Sequence, residues 1–291
     1  VIVQGDTTTS FAAALAAFYH RVPIAHVEAG LRTGNIYAPW PEEVNRRLVS
    51  HIADLHFAPT MRARGNLLRE GIDGGQILVT GNTGIDALLW VADRLDRDPA
   101  LAARASAVLG GRFAGKKLIL MTGHRRESFD GGLARIAAAM ARIAARPDVA
   151  IAFPVHPNPN VQRAMQPLHG LDNVLLTEPV DYLELVYLLK ECALVVTDSG
   201  GIQEEAPSFG KPVLVTRDTT ERPEAIEQGR AKLVGTDAQR LFEEISILLD
   251  DSCAYRRMVG TGNPYGDGRA SRRIAHRLTN ETQVGTSPAD A

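Results

Sequence analysis

The sequence has few of the features that mark secreted, membrane-spanning or nucleic-acid-binding proteins. Its 291 residues include only two cysteines, Cys192 and Cys253, whose wide separation favours reduced thiols over a disulfide framework. No apolar run approaches the roughly 20 residues that span a bilayer. The 32 Lys and Arg nearly balance the 34 Asp and Glu, which leaves no basic excess for nucleic acid or an acidic membrane. We therefore expect a cytoplasmic protein without nucleic-acid or membrane partners.

Short β-rich runs alternate with helical patterns along almost the whole chain. Most of these runs are continuously apolar, as in strands that are buried on both faces of a sheet. Such alternation predicts an α/β protein with parallel sheets built from βαβ units. The candidate strands begin near Val1, Ile24, Leu55, Ile77, Leu118, Val149, Val174, Leu194, Val213 and Lys232.

The length predicts two domains, because a single hydrophobic core stops growing near roughly 250–300 residues. A stretch without strands between Gly81 and Gly115 separates four candidate strands from six, and six suffice for a complete doubly wound domain. We place the domains at 1–84 and 85–265, followed by a segment at 266–291 whose helix is expected to cross back to the first domain before a frayed tail. Because a strand opens the chain, we expect the first domain to be incomplete.

The most informative motif is TDSGGIQEEA, which starts at Thr197, follows a buried strand and opens a helix. Ser199, Gly200 and Gly201 expose backbone N–H groups at that helix start, where the helix dipole favours an anion such as a pyrophosphate. Glu205 lies one turn deeper on the same face, where its carboxylate can accept hydrogen bonds from ribose hydroxyls. A glycine-eased helix cap without a ligand is the alternative interpretation.

Three carboxylates stand at strand or helix ends in the first part of the chain. Asp6 follows the first candidate strand, although it or a neighbouring threonine can equally cap the next helix. Glu28 ends an apolar strand, where a carboxylate is costly without a partner or a function. Glu42 follows Pro41 at a predicted helix start, which the helix dipole explains without any catalytic role.

Basic residues follow strands of the second domain. His124 and Arg125, directly after its first strand, are candidates for phosphate binding or proton transfer, and a solvated basic loop is the alternative. Arg222 is a third candidate for a phosphate contact, unless it belongs to a capping box with Glu221 or Glu224. Carboxylates on one domain and an anion site on the other suit proton chemistry on a bound sugar nucleotide.

At the level of whole motifs, the sequence resembles the non-hydrolysing UDP-N-acetylglucosamine 2-epimerase family of bacteria. The resemblance covers residues 1–271 in order. It implies two Rossmann-like doubly wound domains with an interdomain cleft, the glycosyltransferase B type of fold. The matching strings are GDTTTS, HVEAGLRTG, PWPEEVNRRL, TGNTGIDAL, TGHRRES, TDSGGIQEEAPSFGKPVLV, RDTTERPEA and NPYGDG.

The resemblance implies that the protein interconverts UDP-GlcNAc and UDP-ManNAc, feeding polysaccharide biosynthesis, as a homodimer without a metal or redox cofactor. The family's reaction removes the proton on C2, releases UDP to give 2-acetamidoglucal, and re-adds UDP after reprotonation from the other face. The implied acid/base carboxylates are Asp6, Glu28 and Glu42, His124 assists the departing UDP, and Ser199, Gly200, Gly201, Glu205 and Arg222 hold the nucleotide.

The sequence departs from the family pattern in two places. The family's N-terminal strand with its Gly-Thr-Arg-Pro-Glu motif is absent, and Leu185 stands where the family commonly has an aromatic residue near uracil. Two other functions therefore stay open. The chain is either an epimerase, a UDP-sugar glycosyltransferase of the same fold, or a catalytically silent sugar-nucleotide sensor.

Overall fold

A computed structural model describes residues 1–123, 130–260 and 262–284 of the chain. The described residues form two compact units. The first unit contains Val1–Ala87 and the described residues from Pro264 onward, and the second contains Leu88–Asn263.

Strands and helices alternate through both units. The strands are β1 (Ile2–Gln4), β2 (Ala25–Val27), β3 (Leu55–Ala58), β4 (Ile77–Val79), β5 (Lys117–Thr122), β6 (Val149–Pro154), β7 (Val174–Thr177), β8 (Leu194–Thr197), β9 (Val213–Val215) and β10 (Ala231–Leu233). The helices are α1 (Thr8–Tyr19), α2 (Glu42–Ile52), α3 (Met61–Arg69), α4 (Thr83–Arg97), α5 (Pro99–Ser106), α6 (Gly132–Ala144), α7 (Pro159–Ala164), α8 (Tyr182–Glu191), α9 (Gly200–Glu205), α10 (Pro223–Glu227), α11 (Ala238–Asp250), α12 (Ser252–Met258) and α13 (Ala270–Val284). Each candidate strand of the sequence analysis overlaps one of these ten, which confirms the predicted α/β class.

The sheet of the first unit has the order β1-β2-β3-β4, and its strands are parallel. Helix α13 packs against it, since Ile274 lies in one apolar cluster with Ala25 and Val27 of β2 and Phe57 of β3. The chain just before α13 is also held to this unit, because the Asn82 amide donates to the Tyr265 carbonyl at 2.6 Å. The last described helix therefore belongs to the first unit.

The sheet of the second unit has the order β10-β9-β8-β5-β6-β7, again with parallel strands. Renumbered from its own first strand, this is the 3-2-1-4-5-6 order of a doubly wound Rossmann sheet read from the other edge. Fully buried apolar side chains such as Ile119, Ile151 and Val196 form its core with α6 and α11. Because strand order reverses between β5 and β8, ligands are expected at the carboxyl ends of these two strands.

No helix in the described part of the chain is both long enough and apolar enough to cross a membrane.

Candidate functional site

Gly5 lies beside Asp6 and Glu28, which together form the acidic region of the first unit. It follows β1, adopts a left-handed backbone with φ +73°, and its amide donates to the Val27 carbonyl of β2 at 3.0 Å. A Cβ at this position would lie 3.0 Å from Oε2 of Glu28, so Glu28 packs directly against the glycine. Since Asp6 is the next residue, two of the three predicted carboxylates meet around one glycine.

Asp6 forms an ion pair with Arg46 of α2. The Arg46 side chain is 1% exposed and that of Asp6 is 23% exposed, so the carboxylate is the partner that reaches the surface. Asn45 Nδ2 also donates to the Asp6 carbonyl at 3.0 Å. The cap of α1 is Thr7, whose hydroxyl accepts from the Ser10 amide at 3.2 Å. The threonine thus caps the helix, and Asp6 is left to bind an arginine.

Glu28 adopts an uncommon backbone conformation directly after β2. Its φ is +65°, in the left-handed region, which costs a residue with a side chain about 1–3 kcal/mol. Asn82 Nδ2 lies 3.4 Å from Glu28 Oε1 and orients the carboxylate from a third loop. Such strain occurs mainly where function requires a side chain in one place.

Glu42 is half-buried and begins α2, as predicted. It precedes Arg46 by four residues, so both side chains lie on the same face of the helix, and Arg46 binds Asp6. The neighbouring Glu43 is fully buried instead, and it accepts hydrogen bonds from the amides of Thr33 and Gly34. Glu43 therefore shapes the loop before α2, while Glu42 remains available on the Asp6 side.

Two threonines join the ends of β5 and β8 in the second unit. The Oγ1 atoms of Thr122 and Thr197 are 2.6 Å apart, and Thr197 Oγ1 also accepts from the Ser199 amide at 2.9 Å. These contacts link β5 and β8 where the strand order reverses, and they hold the backbone at the start of the turn after β8. The sequence analysis singled out the turn but not this pair.

The two glycines of the turn differ in their surroundings. A Cβ on Gly200 would lie 2.6 Å from Cζ of Arg222, so only a glycine fits beside that guanidinium. Gly201 is exposed, and a Cβ there would meet no atom within 4 Å. Ser199 is the N-cap of α9 but makes no side-chain cap hydrogen bond. Ser199 thus occupies the cap position without a side-chain cap hydrogen bond, and the anion site and the helix cap both stay open as interpretations of this turn.

Arg222 lies in a buried ionic network. It binds Glu204 with Nε to Oε1 at 2.5 Å and also pairs with Glu221, which in turn binds Arg217 at 2.9 Å. Arg222 is the N-cap residue of α10 and makes no side-chain cap hydrogen bond there, so the alternative of a capping box is not observed. Two arginines and two glutamates thus form linked ion pairs next to the turn.

Glu205 accepts a hydrogen bond from the hydroxyl of Tyr182 on α8 at 3.0 Å. Burial raises the pKa of Glu205 from 4.5 to about 7, and the Tyr182 hydrogen bond opposes that rise. Tyr182 lies one turn before Leu185, the position at which an aromatic was missing. An aromatic side chain from the same helix is therefore present beside Glu205, although the sequence analysis did not assign it.

The predicted residues fall into two groups. In the first unit, Asp6 and Glu28 adjoin Gly5, and Glu42 begins α2. In the second, Ser199, Gly200, Gly201 and Glu205 lie in or next to α9, and Arg222 lies beside Gly200. His124 and Arg125 lie outside the described residues. Among the described residues, no cluster of three or more His, Cys, Asp or Glu side chains is arranged to hold a metal ion.

The topology of the two sheets defines a parallel α/β protein with two Rossmann-like units of the glycosyltransferase B type. The family model described as UDP-N-acetylglucosamine 2-epimerase matches residues 1–279. The chain belongs to this family, whose members are isomerases. The resemblance and the fold inferred from the motifs are thereby confirmed.

Several relatives support this assignment. The UDP-N-acetylglucosamine 2-epimerase of Yersinia pestis is 54% identical over 282 residues, which are 96% of this chain and 75% of that protein. The crystal structure of the Neisseria meningitidis UDP-GlcNAc 2-epimerase bound to UDP-GlcNAc has a TM-score of 0.93 at 46% identity, covering 96% of this chain and 76% of that one. The Staphylococcus aureus MnaA–UDP structure has a TM-score of 0.91 at 44% identity, covering 100% and 78%.

Proposed function

We propose that the protein interconverts UDP-GlcNAc and UDP-ManNAc by inverting the configuration at C2. The observation that carries the proposal is the meeting of Asp6 and Glu28 around Gly5, in a chain of this family. Inversion at a carbon requires one group to remove a proton and another to deliver one from the opposite face. Two carboxylates on different strands, each held by its own partner, meet that requirement.

The second unit supplies the elements for the nucleotide. Gly201 is exposed, and the Ser199 hydroxyl makes no helix-cap hydrogen bond, so their backbone and hydroxyl groups can bind a pyrophosphate. The Glu205 carboxylate can bind the ribose. Solved relatives support this assignment, because one is bound to UDP-GlcNAc and another to UDP. Arg222 packs beside Gly200 at the start of α9, and Arg125 is assigned to the phosphates from the motif alone.

The proposed reaction balances without an added oxidant or metal. A carboxylate takes the C2 proton, the C1–O bond breaks, and its electron pair leaves with the β-phosphate of UDP, which produces the C1=C2 double bond of 2-acetamidoglucal. His124 assists the departing UDP. A second carboxylate then protonates C2 from the other face while a phosphate oxygen of UDP reattaches to C1, which regenerates the consumed bond with inverted C2.

Proton exchange at C2 tests the proposal directly. UDP-GlcNAc incubated with the protein in D₂O should lose its C2 proton signal in NMR while the ManNAc isomer grows, with no acceptor added. Asp6→Asn and Glu28→Gln should each lower kcat by about 100- to 10,000-fold, because each removes one acid/base group. Glu243→Gln is the matched control, since Glu243 is exposed on α11 and accepts a hydrogen bond from Gln239 Nε2 at 2.6 Å.

A glycosyltransferase and a silent sensor would each give a different result in the same assay. A glycosyltransferase would release UDP only when an acceptor is added and would leave the C2 proton in place. A silent sensor would bind UDP-GlcNAc without exchanging it. The family resemblance also implies a cytoplasmic location and a homodimer, and both stay predictions. Sedimentation of the purified protein would test the dimer.

A further inference from the structure

His26 is a fully buried polar residue directly beneath the acidic region. It is the central residue of β2 and pairs in register with Val3 of β1. Its ring Nε2 lies 2.9 Å from the carbonyl oxygen of Gly5. That carbonyl belongs to the peptide bond between Gly5 and Asp6, so the imidazole holds the peptide that carries Asp6.

The surroundings of the ring define its protonation. A ring nitrogen at hydrogen-bond distance from a carbonyl oxygen must be the donor, which places a proton on Nε2. The other nitrogen, Nδ1, is buried without a hydrogen-bond partner among the described residues, so a second proton there would be left unsatisfied. Burial lowers the pKa of His26 to about 3, which agrees with a neutral ring that donates from Nε2.

Gly5 is consequently held on three sides. Its amide donates to the Val27 carbonyl at 3.0 Å, its carbonyl accepts from His26, and Glu28 packs against its α-carbon. Loss of the His26 contact would free the Gly5–Asp6 peptide to rotate and would change the distance between the two carboxylates. Glu28 would keep its own position, since Asn82 and the β2 backbone hold it.

We infer that His26 is a positioning residue that sets the spacing of Asp6 and Glu28 through the Gly5 carbonyl. The inference rests on the proposed function, because that spacing matters for proton transfer on both faces of C2. His26 itself does not reach the reacting atoms, since its side chain is fully buried.

His56 provides a matched control on the neighbouring strand. It is the register partner of His26 on β3 and is 1% exposed, so its replacement removes an equally buried imidazole from the same sheet. No hydrogen bond from its ring to Gly5 is present among the described residues. His26→Leu and His56→Leu should therefore disturb packing alike, and only His26→Leu should disturb Asp6.

The experiment compares His26→Leu, His26→Gln and His56→Leu in the C2 exchange assay. His26→Leu should lower kcat by about 100-fold, as expected for a misplacement of about 1 Å, with KM changed little. His26→Gln should restore most of the rate, because the glutamine amide can donate from the position of Nε2. Equal losses in the two leucine variants, no rescue by glutamine, or a change confined to KM would overturn the inference.

Two further measurements separate this inference from the proposed function. In the wild-type protein, ¹⁵N NMR of the imidazole should show a neutral ring protonated at Nε2 from pH 5 to pH 8, and a proton on Nδ1 would overturn the inference. A crystal structure of His26→Leu or His26→Gln should show the Asp6 carboxylate displaced in the former and in place in the latter. If the wild type exchanges no C2 proton, the proposed function fails, while these two measurements still decide the role of His26.

Discussion

Gly5 and Gly200 both lie shortly after a strand, and both positions favour glycine, but for different physical reasons. Gly5 has φ +73°, a conformation that residues with side chains rarely adopt. Gly200 has an ordinary backbone for the start of a helix, and its lack of a side chain makes room for Arg222. In the first unit, the glycine allows the left-handed turn that precedes Asp6. In the second unit, the glycine leaves space for the Arg222 guanidinium.

The charges at the two strand ends differ in the same way. In the first unit, the buried Arg46 pairs with Asp6, whose side chain is 23% exposed, so the acid remains accessible. In the second unit, Arg222 pairs with Glu204 and Glu221, whose side chains are 3% and 2% exposed. The cation of the first unit therefore holds a partly exposed carboxylate, whereas the cation of the second unit pairs with buried carboxylates next to a turn.

Replacing Arg222 and Arg46, each in a separate variant, should give the largest predicted difference between the two units. Arg222→Met takes a cation from two fully buried carboxylates and should lower the free energy of unfolding by about 3–5 kcal/mol. Arg46→Met removes a charged hydrogen bond from a carboxylate that water can reach and should cost about 1.5–3 kcal/mol. Urea unfolding measures both values. A smaller loss for Arg222→Met than for Arg46→Met would contradict the comparison.

A substitution of Gly5 should lower the stability less than Arg222→Met does, but it should lower the rate of C2 exchange strongly. Gly5→Ala forces a left-handed alanine and brings its Cβ to 3.0 Å from Glu28 Oε2, which should lower the free energy of unfolding by about 1–3 kcal/mol. Because Glu28 has to move, C2 exchange should fall far more than stability alone explains. Gly201→Ala is the control for stability, since its Cβ meets no atom within 4 Å. Urea unfolding of both variants, together with the exchange assay on Gly5→Ala and the wild type, decides whether Gly5 has this double role.

The sequence alone predicted the strands and the turns but not the partners of the charged groups. Most strands were recognisable because they are short and largely apolar runs, as is typical of strands in parallel sheets. Glu28 and Ser199 were singled out by their position at the end of such a run. These are local properties, and local patterns in the chain are sufficient to find them.

The contacts that were missed join residues far apart in the chain. Arg46 pairs with Asp6 across 40 positions, and His26 reaches Gly5 across 21. Such pairs depend on which strands are neighbours and in which register, and a single sequence contains no periodic signal for either. Arg222 shows the same difficulty, because an arginine near a turn suits a phosphate and a buried glutamate equally well until Glu204 is placed beside it.

A pH dependence of the stability is predicted for Glu205. Burial raises its folded-state pKa to about 7, above its usual 4.5, so the folded chain holds this proton more tightly than the unfolded chain. The stability that the protonated carboxyl contributes is present below pH 4.5 and is lost as the pH rises through about 7. Glu205→Gln should flatten this part of the urea-unfolding profile, and the exposed Glu243→Gln should leave it unchanged. A profile that both variants change equally would mean that Glu205, like the acids of the first unit, keeps an accessible carboxylate instead of a buried one.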